Sequence, residues 1–255
     1  MPYTHLDRTV FRLAGEDVAP WLSGLTTNEI GDSATFAALL TPQGKIIADF
    51  FIHKRADGYL IETPEKFGKA LLMRLKMYRL RAKIGIEDVS DTYNVYALWN
   101  GEGDVGADDP RHSGLGKRLA LQAGSLTPEH DETDYDLHRL ALGVPDSAWA
   151  FETERVFPAD ANMDILHGLD LKKGCFIGQE VVSRMHRKST IRKRMRGVKL
   201  SGAAGAGDAL MAGETKAGEI LHVNDNRAMA LAREDRLGSA NTVIINKNPA
   251  HLMDL

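Results

Sequence analysis

The sequence predicts an α+β protein that ends in a small β-barrel, and three patterns support this fold class. Two apolar strands at 34–40 and 46–53 are separated by a Pro/Gly turn, which is typical of an antiparallel hairpin. Apolar residues recur at helical spacing from 64 to 79, behind a proline that suits the start of a helix. From residue 195 onward, short apolar runs alternate with glycine- and asparagine-bearing turns, as in a small all-β barrel. Hairpins mixed with intervening helices indicate the α+β class.

The other elements follow from alternation and helical spacing along the chain. Further strands are predicted at 9–14, 59–61, 83–88, 93–99 and 118–122. Further helices are predicted after Asp17, from 132 to 142, and after Cys175. The Gly/Asp/Pro-rich stretch 101–116 is predicted to be a loop. The change of pattern places a domain boundary near residue 195, so that 1–195 and 196–255 are separate units.

Composition excludes several classes of protein. The 28.0 kDa chain has a net charge of −3 and 43% apolar residues, which is ordinary for a globular protein. One cysteine excludes an intrachain disulfide, and one sulfur cannot supply the roughly four thiolates that usually hold an iron–sulfur cluster. The histidines show no zinc-like spacing, so no metal site is expected. The absence of a long apolar run and of a secretory pattern predicts no membrane span, and a cytoplasmic or processed organellar location.

The only cysteine, Cys175, lies in a segment with two opposite interpretations. Lys172 and Lys173 precede it, and it sits near the amino end of a predicted helix. Cationic neighbours and a helix amino terminus both favour a thiolate over a thiol. Gly174 and Gly178 would let the backbone approach a bound molecule closely. On the alternative interpretation, Cys175 is a small buried apolar residue and the glycines only shape a turn.

The stretch 172–199, called here the basic strip, holds ten of the 32 basic residues and one acid, Glu180. It is either a solvated face or a surface that attracts an acidic ligand tail, a protein partner or RNA. Few aromatic residues lie among these charges, which argues against base stacking. Glu180 could accept a proton or form a helical ion pair with Arg184, and the ion pair is the preferred interpretation.

Residues 173–180 read Lys-Gly-Cys-Phe-x-Gly-Gln-Glu, which resembles the signature K-G-C-[FY]-x-G-Q-E of the YgfZ/GcvT-like family. These are folate-binding proteins that support assembly or repair of iron–sulfur clusters, and they are related to the aminomethyltransferase (T-protein) of glycine cleavage. Further segments agree with the family in the expected order. They are 21–27, 40–45, 139–145 and 157–164. The resemblance covers about residues 9 to 200.

The resemblance implies a GcvT-like tetrahydrofolate-binding fold, with two interleaved α+β domains around a central cavity in 1–195 and a barrel in 196–255. Its implied cofactor is tetrahydrofolate or a derivative, and its implied partners are iron–sulfur client enzymes or assembly factors. Cys175 would be the functional thiol, assisted by Lys173 and Glu180. The residues implied to contact folate are Gln43, Lys45, Asn162, Gly174, Phe176, Gly178, Gln179 and Arg184. The chain is expected to be a monomer in the bacterial cytoplasm, or in the mitochondrial matrix if organellar, with no membrane or nucleic-acid partner.

The sequence departs from T-proteins at one position. T-proteins carry an aspartate after a Val-Asn-Ala stretch, and this aspartate handles the folate during aminomethyl transfer. The corresponding strand here is 59–64, and no aspartate occurs between 63 and 87, although Glu62 could substitute poorly. This departure favours the cluster-assembly branch. Two alternatives remain, a folate-dependent one-carbon transferase and an RNA-binding module that uses the basic strip.

Overall fold

The structure is a computed structural model of the chain, and it describes residues 2–101, 105–188 and 191–254. The strands are β1 Tyr3–Leu6, β2 Arg8–Ala14, β3 Thr35–Leu40, β4 Ile46–Arg55, β5 Gly58–Pro64, β6 Gly85–Asp88, β7 Tyr93–Leu98, β8 Ala107–Asp108, β9 Lys117–Gln122, β10 Lys193–Leu200, β11 Ala209–Ala212, β12 Thr215–Asn224, β13 Arg227–Arg233, β14 Thr242–Ile245 and β15 Asn248–Leu252. The helices are α1 Val18–Leu25, α2 Glu65–Arg79, α3 Glu132–Ala141, α4 Ser147–Ala150, α5 Gln179–Arg187 and α6 Glu234–Leu237.

The larger sheet is antiparallel, with five strands in the order β3-β4-β5-β2-β6. The predicted hairpin is present. Its turn closes through a hydrogen bond from the Thr41 amide to the Lys45 carbonyl at 2.8 Å, with Gly44 at φ 80°. Helix α2 packs on this sheet through Phe67, Leu71 and Leu75, whose side chains are buried as their spacing predicts.

The second sheet has four strands in the order β1-β7-β9-β8. Strand β1 was not predicted, because its four residues form a strand only by pairing with β7, which lies about ninety positions away. The prediction that 101–116 is a loop is wrong in part, since Ala107–Asp108 pairs with β9 and Ser113–Leu115 forms a 3₁₀ turn. Residues 102–104 of that stretch lie outside the described residues.

Strands β10–β15 form a closed barrel in the order β10-β13-β12-β11-β14-β15, with its own apolar core. The antiparallel sheets, the helices and the barrel confirm the predicted fold class. The first barrel strand begins at Lys193, and the boundary between residues 195 and 196 stays a prediction. No helix in the described part of the chain is long and apolar enough to span a bilayer.

The segment 157–168 joins the barrel to the sheets. The Met195 amide of β10 donates to the Asp160 carbonyl at 2.8 Å, and the Asn162 side-chain amide donates to the Met195 carbonyl at 2.7 Å. These bonds fix the irregular segment against the first barrel strand, directly before the chain enters the cysteine loop.

Candidate functional site

Cys175 is exposed, on a loop that precedes α5. The next residue, Phe176, is buried in the main apolar core and anchors the loop. A side-chain carbon added to Gly174 would meet no atom within 4 Å, so the backbone beside the thiol is also open. The interpretation of Cys175 as a small buried apolar residue is therefore wrong.

The ammonium of Lys173 holds the cysteine loop to the end of α1. Its Nζ donates to the carbonyls of Ser23, Thr26 and Asn28 at 2.8, 2.8 and 2.9 Å. Burial lowers the pKa of Lys173, against the opposing charges of Glu29 and Asp170. An ammonium has three N–H donors, and all three are used here, so Lys173 has no donor left for the Cys175 sulfur. Its neighbour Lys172 is exposed and has no ion-pair partner among the described residues.

Glycines bring the predicted hairpin and the cysteine motif into contact. Gly178 has φ 81°, and an added Cβ would lie 2.6 Å from the Thr41 carbonyl oxygen. A Cβ added to Gly44 would likewise lie 3.2 Å from the Cβ of Val181 in α5. Only glycine tolerates this backbone conformation and this approach together. The turn 41–45, which carries the predicted residues Gln43 and Lys45, therefore packs against the start of α5.

Within that turn, Gln43 is exposed and Lys45 is held in place. Lys45 Nζ donates to the Arg155 carbonyl at 3.0 Å and lies 3.7 Å from the centre of the Phe157 ring. Burial lowers the pKa of Lys45, with the Asp160 carboxylate opposing that effect. The lysine thus supports the loop 157–168 as well as bordering the motif.

Helix α5 is buried through Val182 and presents its charged residues to solvent. An open cavity of about 430 Å³ lies beside it, lined by Glu180, Val181, Arg184, Arg187 and Lys188. The predicted ion pair between Glu180 and Arg184 is not formed, since none of the ion pairs found in the described ranges joins them. Gln179 makes a long hydrogen bond from Nε2 to the Gly174 carbonyl at 3.4 Å, which closes the motif on itself.

The opposite side of α5 faces Asp164. Arg194 of β10 binds both oxygens of this carboxylate at 2.6 and 2.8 Å, and His186 Nδ1 lies 3.9 Å from it. The His186 Nε2 atom is buried without a hydrogen-bond partner. A second cavity, of about 570 Å³, opens here. It is lined by Asn28, Asp164, His167, Leu169, Asp170, Leu171, Lys172 and His186.

Asn162 lines a third cavity, of about 460 Å³, together with residues of the β8–β9 connection, the residues after α3 and Asp254. The residue is 3% exposed and adopts φ 58°, a strained backbone for a residue other than glycine. Its Oδ1 atom is buried with no hydrogen-bond partner. Asn162 and Arg184, both predicted to contact folate, therefore line different cavities.

A buried cluster of charges lies in the body of the protein and was missed in the sequence. It contains Arg8, Asp49, His53, Glu62, Asp109, Arg111, Arg118 and Asp146. Arg118 donates to both oxygens of Glu62, at 2.8 and 2.7 Å, and His53 Nε2 lies 3.1 Å from one of them. Burial alone would raise the pKa of Glu62, but Arg118 and His53 outweigh it and hold that pKa far below its ordinary value. The available signal was a carboxylate inside an apolar strand, as at Glu62 in β5.

Part of the basic strip is structural. Lys173 binds carbonyls, Arg194 binds Asp164, and Arg196 binds Glu234 and the Met253 carbonyl. The remaining members are exposed on the loop, on α5 and along β10. In the described ranges, no group of three or more histidine, cysteine or acidic side chains is placed to hold a metal ion.

Comparisons with known proteins agree with this architecture. The CAF17, C-terminal beta-barrel domain family matches residues 192–252. A protein of Mycosarcoma maydis named iron-sulfur cluster assembly factor IBA57 homolog, mitochondrial, is 30% identical over 218 residues, covering 74% of this chain and 54% of that protein. The mitochondrial iron-sulfur cluster assembly factor IBA57 of Homo sapiens is 30% identical over 224 residues, covering 74% of this chain and 63% of that protein. The glycine cleavage system aminomethyltransferase T of Bartonella henselae matches 100% of this chain and 85% of its own, with a TM-score of 0.80 and 14% identity.

Through these matches, the chain fits the YgfZ/GcvT-like family. It spans between 54% and 63% of the length of the two relatives described above. The likeness to the aminomethyltransferase, at 14% identity, concerns the fold alone.

Glu62 is the residue that the comparison with T-proteins offers as a poor substitute for their aspartate. Both of its oxygens accept hydrogen bonds from Arg118, and its low pKa keeps it ionised and poorly basic near neutral pH. A carboxylate held in this way is unsuited to take a proton from a reacting nitrogen.

Proposed function

We propose that this protein is a tetrahydrofolate-binding accessory protein for assembly or repair of iron–sulfur clusters. The observation that carries the proposal is the exposed Cys175, on a loop anchored by Lys173 and Phe176. Relatives that align with 74% of the chain bear the name of iron-sulfur cluster assembly factors. A reactive thiol at the surface of an otherwise cysteine-free protein suits contact with a second protein.

Cys175 would act as a single thiolate ligand to a cluster. A cluster is the cargo of this reaction, and about four ligands are normally needed to hold one. Since this chain offers one sulfur, the other ligands would come from a partner protein. The exposed Lys172, three residues before Cys175, adds a positive charge to the surface that such a partner would contact.

One polar atom in the cavity beside Asn162 suits tetrahydrofolate as a ligand. The buried Asn162 Oδ1 lacks a donor, and the ring of a reduced folate carries N–H donors. Asn162 would accept one of these N–H groups and thereby orient the ring. When bound, the folate supplies a carrier for one-carbon units or a reduced ring system.

An aminomethyltransferase activity is not proposed, because the carboxylate nearest to the required position is bound to Arg118. RNA binding through the basic strip is not proposed either, since Lys173, Arg194 and Arg196 of that strip are bound to groups of the protein itself. The proposed partners are iron–sulfur client enzymes or assembly factors. The proposed compartment is the cytoplasm of a bacterium, or the mitochondrial matrix where the protein is organellar.

A deletion strain complemented with variants tests the thiol. Activities of several cluster-containing enzymes should fall on deletion and should be restored by the wild-type chain and by Ile244→Gln, a control at an exposed apolar residue of the barrel. Cys175→Ala and Cys175→Ser should not restore them. Full restoration by Cys175→Ala would contradict the proposed role of the thiol.

Folate binding is tested separately. Tetrahydrofolate should raise the melting temperature in a concentration-dependent manner, and Asn162→Leu should abolish the shift. Because Asn162 also donates to the Met195 carbonyl, the unliganded stability of this variant must be measured in parallel. A melting temperature that stays constant up to millimolar tetrahydrofolate would remove the folate from the proposal while leaving the thiol untouched.

A further inference from the structure

The outer face of α2 presents a stripe of apolar side chains to solvent. Met73, Met77 and Leu80 are 61%, 49% and 87% exposed, at a spacing of four and then three residues. Met73 and Met77, four residues apart in α2, are neighbours on one helix face, and Leu80 follows directly after the last residue of the helix. Large exposed apolar side chains that cluster in this way mark interaction sites more often than isolated ones do.

Unpaired cations surround this stripe. Lys69, Lys76, Arg79 and Arg81 are exposed, and in the described ranges none of them has a carboxylate within ion-pair distance. Two other cations of α2 do have partners, since Lys66 binds Glu152 at 3.2 Å and Arg74 binds Glu154 at 3.2 Å. The unpaired Lys69 and Lys76 lie four residues before and three residues after Met73 on the helix, and Arg79 and Arg81 flank Leu80 in the sequence.

The backbone at the end of α2 is strained in a way that exposes Leu80. This residue adopts φ 44° and ψ −110°, a conformation that residues with a Cβ rarely take. A hydrogen bond from the Ala82 amide to the Arg79 carbonyl at 2.8 Å holds the turn. Strained residues of this kind cluster at functional sites. Here the strained residue carries an apolar side chain that is exposed to water and lies between two arginines in the sequence.

Helix α1 connects this face to the cysteine loop. Trp21 Nε1 of α1 donates to the Tyr78 carbonyl near the end of α2 at 3.0 Å. At its other end, α1 and the residues after it supply the three carbonyls bound by Lys173. One short helix thus separates the exposed face of α2 from the loop that carries Cys175.

We propose that the outer face of α2 docks an acidic amphipathic helix of a partner protein. Apolar side chains of that helix pack on Met73, Met77 and Leu80, while its carboxylates pair with the four unpaired cations. Methionine is flexible and polarisable, and it is common on surfaces that adapt to a partner helix. Neither folate nor cluster chemistry is needed for this docking.

An anionic membrane is the less favoured occupant. Helices that lie in a bilayer surface present Trp, Phe and Leu on a wide apolar face, and no aromatic residue lies in this stripe. The exposed carboxylates of Glu152 and Glu154 flank α2 on one side and would face an anionic surface. A narrow apolar stripe with cations near it matches one helix better than it matches a bilayer.

The full chain labelled with ¹³C at its methionine methyls tests the docking by NMR. The probe is a synthetic peptide of about 20 residues with leucines at helical spacing and glutamates elsewhere. Its control is a peptide of the same composition in scrambled order. The amphipathic peptide should shift the Met73 and Met77 resonances in a saturable manner, while the buried Met163, Met195 and Met229 serve as internal controls.

Variants then assign the binding to charge and to apolar contact. Lys76→Glu/Arg79→Glu should weaken the peptide about tenfold or more at low salt, and Lys199→Glu on the barrel should leave its affinity unchanged. Met73→Gln/Met77→Gln should weaken it comparably, measured by the anisotropy of the labelled peptide. All substituted side chains are at the surface, so melting curves should remain close to those of the wild type.

Three results would overturn the proposal. The first is no shift of Met73 or Met77 up to millimolar peptide. The second is equal binding of the scrambled peptide, which would indicate charge attraction without a helix face. The third is a shift of Met73 and Met77 by vesicles of phosphatidylserine and phosphatidylcholine but not by the peptide, which would identify the face as a membrane-contact surface.

Discussion

Charges in the body of this protein and charges on its surface are organised differently. In the buried cluster, Glu62, Arg118, Asp109 and Arg111 all have partners of opposite charge within hydrogen-bond distance. On α2, in contrast, Lys69, Lys76, Arg79 and Arg81 have no such partner in the described part of the chain. A buried charge must be neutralised by the fold itself, whereas an exposed charge remains available to a ligand.

This difference separates structural residues from candidate binding residues without reference to other sequences. Glu62, Arg111 and Asp146 of the buried cluster have strongly shifted pKa values, and each of these groups has a partner of opposite charge within the protein that explains its shift. Perturbed ionisation is therefore a poor guide to the working site here. An exposed thiol, as at Cys175, or a buried polar atom without a hydrogen-bond partner, as at Asn162 Oδ1, is the better indicator.

The largest expected effect comes from breaking the buried cluster at Arg118. Arg118→Ala removes both hydrogen bonds to Glu62 and the guanidinium that lies 3.9 Å from the centre of the Phe51 ring. Because Glu62 is then a buried carboxylate without its main partner, we expect a loss of about 3–5 kcal/mol in the free energy of unfolding. Urea denaturation followed by circular dichroism measures it.

The matched surface change is Arg192→Ala, at an exposed residue of the basic strip. Its expected effect on the free energy of unfolding is below about 0.5 kcal/mol. Similar losses for Arg118→Ala and Arg192→Ala would show that burial does not distinguish the two groups of charges.

A second effect separates the two lysines before Cys175. Lys173→Ala leaves three carbonyls without their donor and should lower the free energy of unfolding by about 2 kcal/mol. Lys172→Ala should leave the free energy of unfolding unchanged, because the Lys172 side chain is exposed and forms no ion pair in the described ranges. Urea denaturation measures both variants. A stable Lys173→Ala variant would contradict the assignment of Lys173 as the anchor of the loop.

These two lysines also show what the sequence could and could not reveal. Strands β3 and β4, helix α2 and the helix after Cys175 were predicted, because their signals lie in consecutive residues. The anchoring of Lys173 was not, because its acceptors lie about 150 positions earlier in the chain. The buried cluster was missed for the same reason, since Arg8, Glu62, Arg118 and Asp146 meet only after four separate segments fold together.

A third effect concerns the dependence of stability on pH. Burial raises the pKa of Asp49 from 3.8 to about 6, and the nearby charge of Asp146 adds to the rise. The folded state therefore binds this proton more tightly than the unfolded state. The contribution of protonated Asp49 to the free energy of unfolding is therefore fully present below about pH 4, and it is lost as the pH rises through 6. Asp49→Asn should thus gain about 3 kcal/mol in the free energy of unfolding at pH 7.5 and nothing at pH 4.

The neighbouring carboxylates act in the opposite direction. Burial would raise the pKa of Asp146, but Arg8, Arg111 and Arg139 outweigh it and hold that pKa well below its ordinary value. The stabilisation that Asp146 provides is present above the unfolded pKa of about 4 and is lost as the pH falls.

The control for Asp49→Asn is Asp91→Asn, at an exposed residue, for which no gain in the free energy of unfolding is expected at either pH. An equal gain for Asp49→Asn at pH 4 and pH 7.5 would exclude titration as its cause.

The smallest expected effect tests whether the exposed Leu80 at the end of α2 lowers the free energy of unfolding. At Leu80, φ 44° suits glycine, so Leu80→Gly removes strain while it removes a side chain that is 87% exposed. Glycine also makes the unfolded chain more flexible, which offsets part of the gain, so the free energy of unfolding should rise by about 0.5 kcal/mol or stay constant. Leu80→Ala keeps the strain and loses the same apolar surface, so it should not gain stability. If Leu80→Gly is clearly less stable than Leu80→Ala, the turn is not strained, and the exposed leucine needs no explanation outside the isolated chain.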